Sequence, residues 1–247
     1  MKYIIKLIEQ TMHRPYPISK EKWIMQHTWK NLVFFHYPVS FRFIRPLVPS
    51  CLDLDRYDGT LWIGIYAFCM DKIHLRGLPF SFFSPYYGVN VRTYVTYKGK
   101  PGVYFLSLDA NNRIAQKISR IWYRLNYFHA YITFEQNEQY YIYNAYRKND
   151  NKHQEISIKF TPTSHEYSTK KNTLDYFLAE RYCLYSFDSR EDLYCVEIHH
   201  PQWLLQNVDV QILKNTYIDY LNSSLVKPPI VHYSKSTNVL VWNIRRL

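Results

Sequence analysis

The sequence predicts an α+β or barrel-like fold that is built mainly from antiparallel strands, with a few helices. Three observations support this prediction. Hydrophobic residues make up 47% of the 247 residues, which is enough for a sizeable core. Short aromatic and β-branched runs alternate with turn-forming residues. The chain also lacks the regular alternation of strands and helices, and the glycine-rich phosphate loop, that characterise nucleotide-binding α/β folds.

The first predicted core strand covers residues 61–70, a run that is apolar on both faces and rich in aromatic and β-branched side chains. Residues 89–97 alternate in polarity and form the next strand. Asn90, Arg92 and Tyr94 share one face of it. Lysine, glycine and proline at 98–102 indicate a turn. Residues 103–109 then return, so the sequence predicts a β-hairpin.

A helix is predicted over residues 113–125, with a cap at Asn111–Asn112. Its apolar side chains recur at helical spacing and are expected to form a buried stripe: Ile114, Ile118, Ile121 and Leu125. Its basic side chains are expected to border that stripe as a solvated flank: Arg113, Lys117, Arg120 and Arg124.

Further strands and helices are predicted along the rest of the chain. Strands are expected at 128–134, 140–146 and 155–160, followed by a helix at 173–181. A hairpin is expected from 182–187 and 193–199, then a second amphipathic helix at 208–221 and a closing strand at 239–242.

Composition restricts the setting of the protein. Residues 1–22 look like an N-terminal appendage, and residues 23–247 read as a single domain without a linker or internal repeat. The sequence predicts no membrane span or signal peptide. None of its four cysteines has zinc-finger spacing, so we expect a cytoplasmic protein without a metal site or cofactor. Cys183 and Cys195 are expected to approach each other as thiols.

Several motifs resemble the YqjF-like family of uncharacterised bacterial proteins. They are DGTLWIG at 58–64, LRGLP at 75–79, NVRTYV at 90–95, GVYFLSLDA at 102–110, ERY at 180–182, HHP at 199–201 and HYS at 232–234. The resemblance spans residues 23–242 in unbroken order. It implies the fold of acetoacetate decarboxylase: a strongly curved, largely antiparallel, barrel-like sheet around a central cavity, with a few outer helices.

The same resemblance raises the alternative of a lysine-imine enzyme, because acetoacetate decarboxylase forms a Schiff base through a lysine whose pKa is lowered. Two departures weaken this alternative. The comparable core strand carries Ser107 and Asp109 but no lysine. Family members usually have a glutamate two residues before the asparagine of the NVRTYV motif, where this chain has Gly88.

The candidate ligand-binding residues are Asn90, Arg92 and Tyr94 on one strand, and Ser107 and Asp109 on the next. Arginine binds carboxylates or phosphates bidentately, and an aspartate can act as a base or orient the arginine. If Tyr97 pairs with Val103, Asp109 faces away from Arg92. A one-residue shift or a bulge would bring them to the same face.

Arg181 and His199 are further candidates. Arg181 follows Glu180 at the end of a predicted helix, where the two could form an inward-facing ion pair. His199 and His200 are adjacent in a strand, so only one of them can face a cavity.

The preferred function is therefore a cytoplasmic protein that binds a small molecule in the cavity of the curved sheet, with an anion as one candidate ligand. No motif promotes a named reaction, so whether the protein is an enzyme stays open. The net charge of +11 leaves nucleic-acid or anionic-surface binding as an alternative, although no nucleic-acid-binding motif supports it. A homo-oligomer that hides surface tyrosines also stays open.

Overall fold

A computed structural model describes residues 2–78, 85–125, 127–148, 153–188, 190–219 and 228–247. The helices within these ranges are α1 (Lys2–Glu9), α2 (Phe41–Ile44), α3 (Arg113–Tyr123) and α4 (Leu174–Ala179). The strands are β1 (Met25–Val39), β2 (Asp53–Leu54), β3 (Leu61–Leu75), β4 (Tyr86–Tyr97), β5 (Lys100–Ala110), β6 (Tyr127–His129), β7 (Tyr131–Gln136), β8 (Tyr141–Lys148), β9 (His153–Pro162), β10 (Tyr167–Ser168), β11 (Cys183–Phe187), β12 (Leu193–His199), β13 (Leu204–Asn215), β14 (Ile230–Val241) and β15 (Arg245–Arg246).

The strands form one strongly curved sheet. Its order is β15-β12-β11-β5-β4-β3-β1-β14-β13-β9-β8-β7, and β12 also pairs with β14. Most neighbours are antiparallel, whereas β11 and β6 run parallel to β5. The extra pairing of β12 with β14 means that the strands curl round an interior. The predicted β-rich α+β fold with a curved, largely antiparallel sheet is confirmed.

The centre of the sheet is covered on both faces. In β3, Ile63 and Ile65 point to an outer core that the β7–β8–β9 strands also cover, whereas Tyr66 and Phe68 point to the interior. Both faces are apolar because neither meets water, which explains the unbroken hydrophobic run in the sequence. Below, these two sides are called the outer face and the inner face.

Both predicted hairpins are confirmed. Strands β4 and β5 are joined by Lys98 and Gly99, which both have positive φ, as a two-residue hairpin turn of type I′ requires. Strands β11 and β12 pair in antiparallel register. Cys183 and Cys195 lie beside each other in this second hairpin, and both are free thiols.

The helix predicted at 208–221 is wrong, because residues 204–215 form strand β13 and pair with β9. Val208 and Val210 are less exposed than their polar neighbours in the chain, so the segment has the period of two of a strand. Pairing with the edge of β9 stabilises this strand in place of a helix. Positions 220–221 lie outside the described residues. So do Pro79 of the LRGLP motif and Ser189 of the second hairpin's turn.

Helix α3 forms as predicted, and the Asn112 side chain caps it by accepting from the backbone N–H groups of Ile114 and Ala115. The predicted buried stripe is wrong at Ile114 and Ile121, whereas Ile118 is half-buried and Leu125 is buried as predicted. The helix buries Ala115, Gln116 and Tyr123, whereas Ile114 and Ile121 are exposed. Because the face with Ala115, Gln116 and Tyr123 packs against the sheet, Ile114 and Ile121 turn outward.

The N-terminal residues pack against the end of the sheet near β12 and β14. Leu7 of α1 is buried against Leu240 and Trp242. The Arg14 guanidinium is also buried and donates to the backbone oxygen of Ile198. No helix among the described residues is long and apolar enough to cross a membrane.

Candidate functional site

The inner face of the sheet and helix α3 enclose a cavity of about 120 Å³. Most of its lining is apolar or aromatic. Its polar lining side chains include His27, Tyr66, Tyr86, Asn90, Arg92, Ser119, Tyr123, Tyr127 and Arg181. Three of the predicted site residues, Asn90, Arg92 and Arg181, therefore lie together on one cavity wall or at its end.

Arg92 is the central charged group of the cavity. Its Nε donates to Asn90 Oδ1 at 3.0 Å, and its Cζ lies 3.3 Å from the centroid of the Tyr66 ring. Burial lowers the pKa of Arg92, and only tyrosines oppose that effect among the described residues. An arginine stays charged even so. The cavity thus holds a fixed cation that no described carboxylate neutralises.

Local sequence places these groups. Asn90 and Arg92 are two residues apart on β4, so both point to the inner face, and Tyr66 of β3 pairs with Asn90 across the ladder. The Asn90 amide holds one edge of the guanidinium. The ring of Tyr66 supports its plane through a cation–π contact. Arg92 lines the cavity, and its outer guanidinium nitrogens form no hydrogen bond with a described residue.

His27 is a second polar group of the lining. It is 4% exposed, and neither ring nitrogen has a hydrogen-bond partner among the described residues. Burial lowers its pKa to about 3, so the ring is neutral at pH 7 and carries one N–H and one free lone pair. A ligand in the cavity could satisfy either.

Arg181 and Tyr94 close one end of the site. Arg181 Nη1 pairs with Asp55 Oδ2 at 2.6 Å, and its Cζ lies 5.0 Å from the Tyr94 ring centroid. The Tyr94 hydroxyl is 3.0 Å from His36 Nδ1. Tyr94 is buried and does not line the cavity itself, but its hydroxyl lies 3.4 Å from that of the lining residue Tyr66. The ion pair of Arg181 is with Asp55, whereas the sequence suggested Glu180.

Ser107 and Asp109 belong to a separate cluster on the outer face. Strand β4 pairs with β5 through Tyr97–Lys100, and a bulge at Leu106 restores Asp109 opposite Val89. Asp109 therefore faces away from Arg92. Its carboxylate instead meets Arg147 Nη1 at 3.0 Å and the Tyr217 hydroxyl at 2.5 Å. Ser107 Oγ accepts from Arg147 Nη2 at 3.1 Å.

Burial raises the pKa of Asp109 to about 6 although Arg147 and Tyr217 oppose the shift. The buried ion pair joins strand β5 to β8 and to the segment after β13. Because this cluster and the cavity lie on opposite faces of the sheet, the five strand residues grouped by sequence spacing form two sites.

His199 faces the N-terminal segment rather than the cavity. Its Nε2 is 2.8 Å from the Leu7 backbone oxygen, and its Nδ1 accepts from Arg14 Nη1 at 3.1 Å. Burial lowers the pKa of His199 to about 4, so it is a neutral, hydrogen-bonded ring. These contacts make His199 the point where the N-terminal residues attach to β12.

Gly88 marks a change in the cavity wall. A Cβ at this position would lie 2.6 Å from the Phe68 ring and 2.9 Å from the Asp109 carbonyl oxygen. Phe68 lines the cavity. The space beside position 88, where the resemblance implies a glutamate, is thus filled by an aromatic ring.

The described residues that line the cavity include no lysine. The Lys170–Lys171 pair is exposed in the segment before α4, and Lys98 stands in the first hairpin turn. Nothing in this set of side chains favours imine chemistry in the cavity.

Comparison with known proteins agrees with this architecture. A family model described as an uncharacterized conserved protein, DUF2071, matches residues 26–238. The chain belongs to the DUF2071 family. The uncharacterized protein YqjF of Bacillus subtilis (strain 168) is 42% identical over 226 residues, which cover 91% of this chain and 93% of that protein.

Solved structures with the same fold share little sequence with this member of the DUF2071 family. Acetoacetate decarboxylase of Legionella pneumophila aligns with a TM-score of 0.63 at 11% identity, covering 97% of this chain and 94% of that chain. The enduracididine biosynthesis enzyme MppR, complexed with pyruvate, aligns with a TM-score of 0.62 at 10% identity and covers 92% of each chain. These similarities show the acetoacetate decarboxylase-like fold.

His27 and Tyr66 line the cavity but were not among the site residues that the sequence predicted. Tyr66 and Phe68 are two residues apart in the predicted 61–70 strand, so their side chains lie on the same face. That shared face indicated that Tyr66 points inward together with Phe68. His27 had none, because the long strand β1 was not predicted and only its pairing with β3 and β14 turns the ring inward.

Proposed function

We propose that this protein is a cytoplasmic small-molecule-binding protein whose cavity takes a small anion with an apolar body, and that Arg92 is the group that binds the anion. The observation that carries the proposal is a half-buried arginine that lines the cavity and has no carboxylate partner among the described residues.

The positive charge of Arg92 favours an anionic ligand. A cation in a low-dielectric interior is costly unless an anion or several hydrogen bonds compensate it. Asn90 and Tyr66 compensate Arg92 in part, through one hydrogen bond and one ring contact. An anionic ligand would supply the remaining compensation. It would accept from the outer guanidinium nitrogens in the bidentate geometry that arginine offers to carboxylates.

The size and polarity of the cavity restrict the rest of the ligand. Its volume of about 120 Å³ is close to that of an engineered apolar cavity of roughly 150 Å³ that binds benzene. Leu108, Val196 and Ile198 are among its apolar lining residues. A small carboxylate with an apolar body fits both the cation and the walls, while His27 offers one donor or acceptor for a further polar atom.

The fold neighbours give a limited chemical precedent. MppR, which shares the fold at 10% identity, is known in complex with pyruvate, a small carboxylate. This precedent supports the ligand class but not a reaction. Because the described lining residues include no lysine, the lysine-imine alternative is the weaker one, and whether the bound molecule reacts stays open.

Benzoate and benzamide test the proposal because they share an apolar body and differ in charge. Isothermal titration calorimetry with the full chain should detect benzoate binding in the millimolar range or tighter and much weaker binding of benzamide. Arg92→Met should reduce benzoate affinity by at least tenfold, because hydrogen bonds to a charged group contribute about 1.5–3 kcal/mol. Pyruvate should compete with benzoate.

Arg42→Met is the matched control, since Arg42 is exposed on α2. It should leave benzoate binding unchanged. Equal binding of benzoate and benzamide, or benzoate binding that survives Arg92→Met, would overturn the proposal. Borohydride treatment with pyruvate should give no mass adduct on lysine, and an adduct would instead support the imine alternative.

A further inference from the structure

The outward face of helix α3 is apolar where a helix on a protein surface is normally polar. Ile114 is 57% exposed and Ile121 is 69% exposed, and they lie two turns apart on the side of the helix opposite the buried side chains of Gln116 and Tyr123. Trp122 is 44% exposed beside them. Surface helices place charged residues at this position.

Basic side chains flank this apolar face. Arg113, Lys117 and Arg120 lie along one side of it, and all three are exposed. Helix α3 contains no acidic residue. The combination of an aliphatic centre, a tryptophan at the edge and a basic flank is typical of helices that lie in the interface of an anionic membrane.

A cleft with excess positive charge adjoins the C-terminal end of α3. Its volume is about 530 Å³, and its charged lining consists of four arginines and two aspartates: Arg120, Arg124, Arg190, Arg246, Asp188 and Asp192. Arg246 pairs with Asp192, and the Tyr194 hydroxyl donates to Asp188. Arg124 and Arg190 form no salt bridge with any described residue. An anionic group next to the apolar face would accept hydrogen bonds from the arginines of the cleft.

We propose that the outward face of α3, with the adjoining arginine cleft, docks the protein on an anionic phospholipid surface. Ile114 and Ile121 would enter the boundary between headgroups and acyl chains, while the basic side chains and the cleft would contact lipid phosphates. Because α3 also forms one wall of the cavity through Ser119 and Tyr123, docking would bring the cavity wall next to the lipid.

Two physical arguments favour a lipid surface over a second copy of the chain. A symmetric dimer through this face would bring its basic side chains against their own copies. Helix α3 is also only about 16 Å long, so its face is far smaller than the roughly 800 Å² per partner of a standard interface. A nucleic acid would match the positive charge of this surface, but its binding would not explain why Ile114 and Ile121 are exposed.

Co-sedimentation of the full chain with lipid vesicles tests the proposal. We expect binding to vesicles that contain phosphatidylglycerol, weak binding to vesicles of phosphatidylcholine alone, and a loss of binding as salt rises. Ile121→Ser should reduce partitioning about tenfold, as loss of one buried aliphatic side chain implies. Lys117→Gln with Arg124→Gln should weaken binding and flatten its salt dependence.

Leu213→Ser is the matched control, because Leu213 is 58% exposed on β13, away from α3. It should bind vesicles like the parent chain. Absence of phosphatidylglycerol binding, or an equal loss in Leu213→Ser, would overturn the proposal. So would a dimer in light scattering that Ile121→Ser dissociates, or heparin binding that depends on the arginines and exceeds vesicle binding. None of these outcomes depends on benzoate binding in the cavity.

Discussion

Replacing His27 by phenylalanine should make the protein markedly less sensitive to mild acid. The ring is buried without a hydrogen-bond partner among the described residues, and burial lowers its pKa to about 3. In the unfolded chain the pKa is about 6.5, so the unfolded state takes up a proton as the pH falls while the folded state does not. The stability due to the neutral ring is complete above pH 6.5 and is lost below it.

The size of the effect follows from these pKa values. Between pH 7 and pH 5, His27 should cost the parent chain about 2 kcal/mol of unfolding free energy, because almost all of the proton uptake in that interval is by the unfolded state. For a chain of 247 residues this corresponds to a Tm difference of about 4 °C. The Phe ring has nearly the same shape and does not titrate, so His27→Phe should lack this part of the loss.

Urea denaturation of parent and variant at pH 7 and pH 5 measures the difference directly. Other buried histidines, among them His36 and His200, also have lowered pKa values and should destabilise both proteins in acid. Their contributions to acid sensitivity are the same in the parent and in His27→Phe, so they cancel in the difference between the two proteins. His165→Phe is the control, since His165 is exposed, and it should keep the parent's acid sensitivity. If His27→Phe loses as much stability as the parent between pH 7 and pH 5, the reasoning is refuted.

Three further changes should alter stability in ways that denaturation curves can measure. Gly88→Ala should cost about 1–3 kcal/mol, because its Cβ would meet the Phe68 ring at 2.6 Å, and Phe68→Leu in the same chain should recover part of that loss. Arg147→Met should cost about 3–5 kcal/mol at pH 7.5, where it leaves the buried Asp109 carboxylate without its cation and with the Tyr217 hydroxyl as its remaining described donor. The loss should shrink at pH 5, below the pKa of about 6 that burial gives Asp109, and an equal loss at both pH values would contradict the assignment. Asn112→Ala should cost about 1 kcal/mol by removing the α3 cap, whereas Asn111→Ala should cost less in the cap itself.

The sequence predicted the elements whose signals are local. The β4–β5 hairpin depends on a turn at Lys98–Gly99 and on alternation within a few residues, and α3 begins where Asn112 can cap it. The apolar run in β3 predicted a strand covered on both faces. Strand β13 was not predictable in this way, because its residues 208–215 acquire their period of two by pairing with β9, about fifty residues earlier in the chain.

The candidate site shows the same division. Residue spacing by itself determined that Asn90 and Arg92 share a face, because side chains in a strand alternate with a period of two. Only the tertiary structure decided that Asp109 lies on the opposite face with Arg147 and Tyr217, since that depends on a two-residue turn and a bulge at Leu106. It also decided that Ile114 and Ile121 of α3 face outward. Local propensity cannot set such choices, because they depend on which distant strands complete the curve and what space remains inside it.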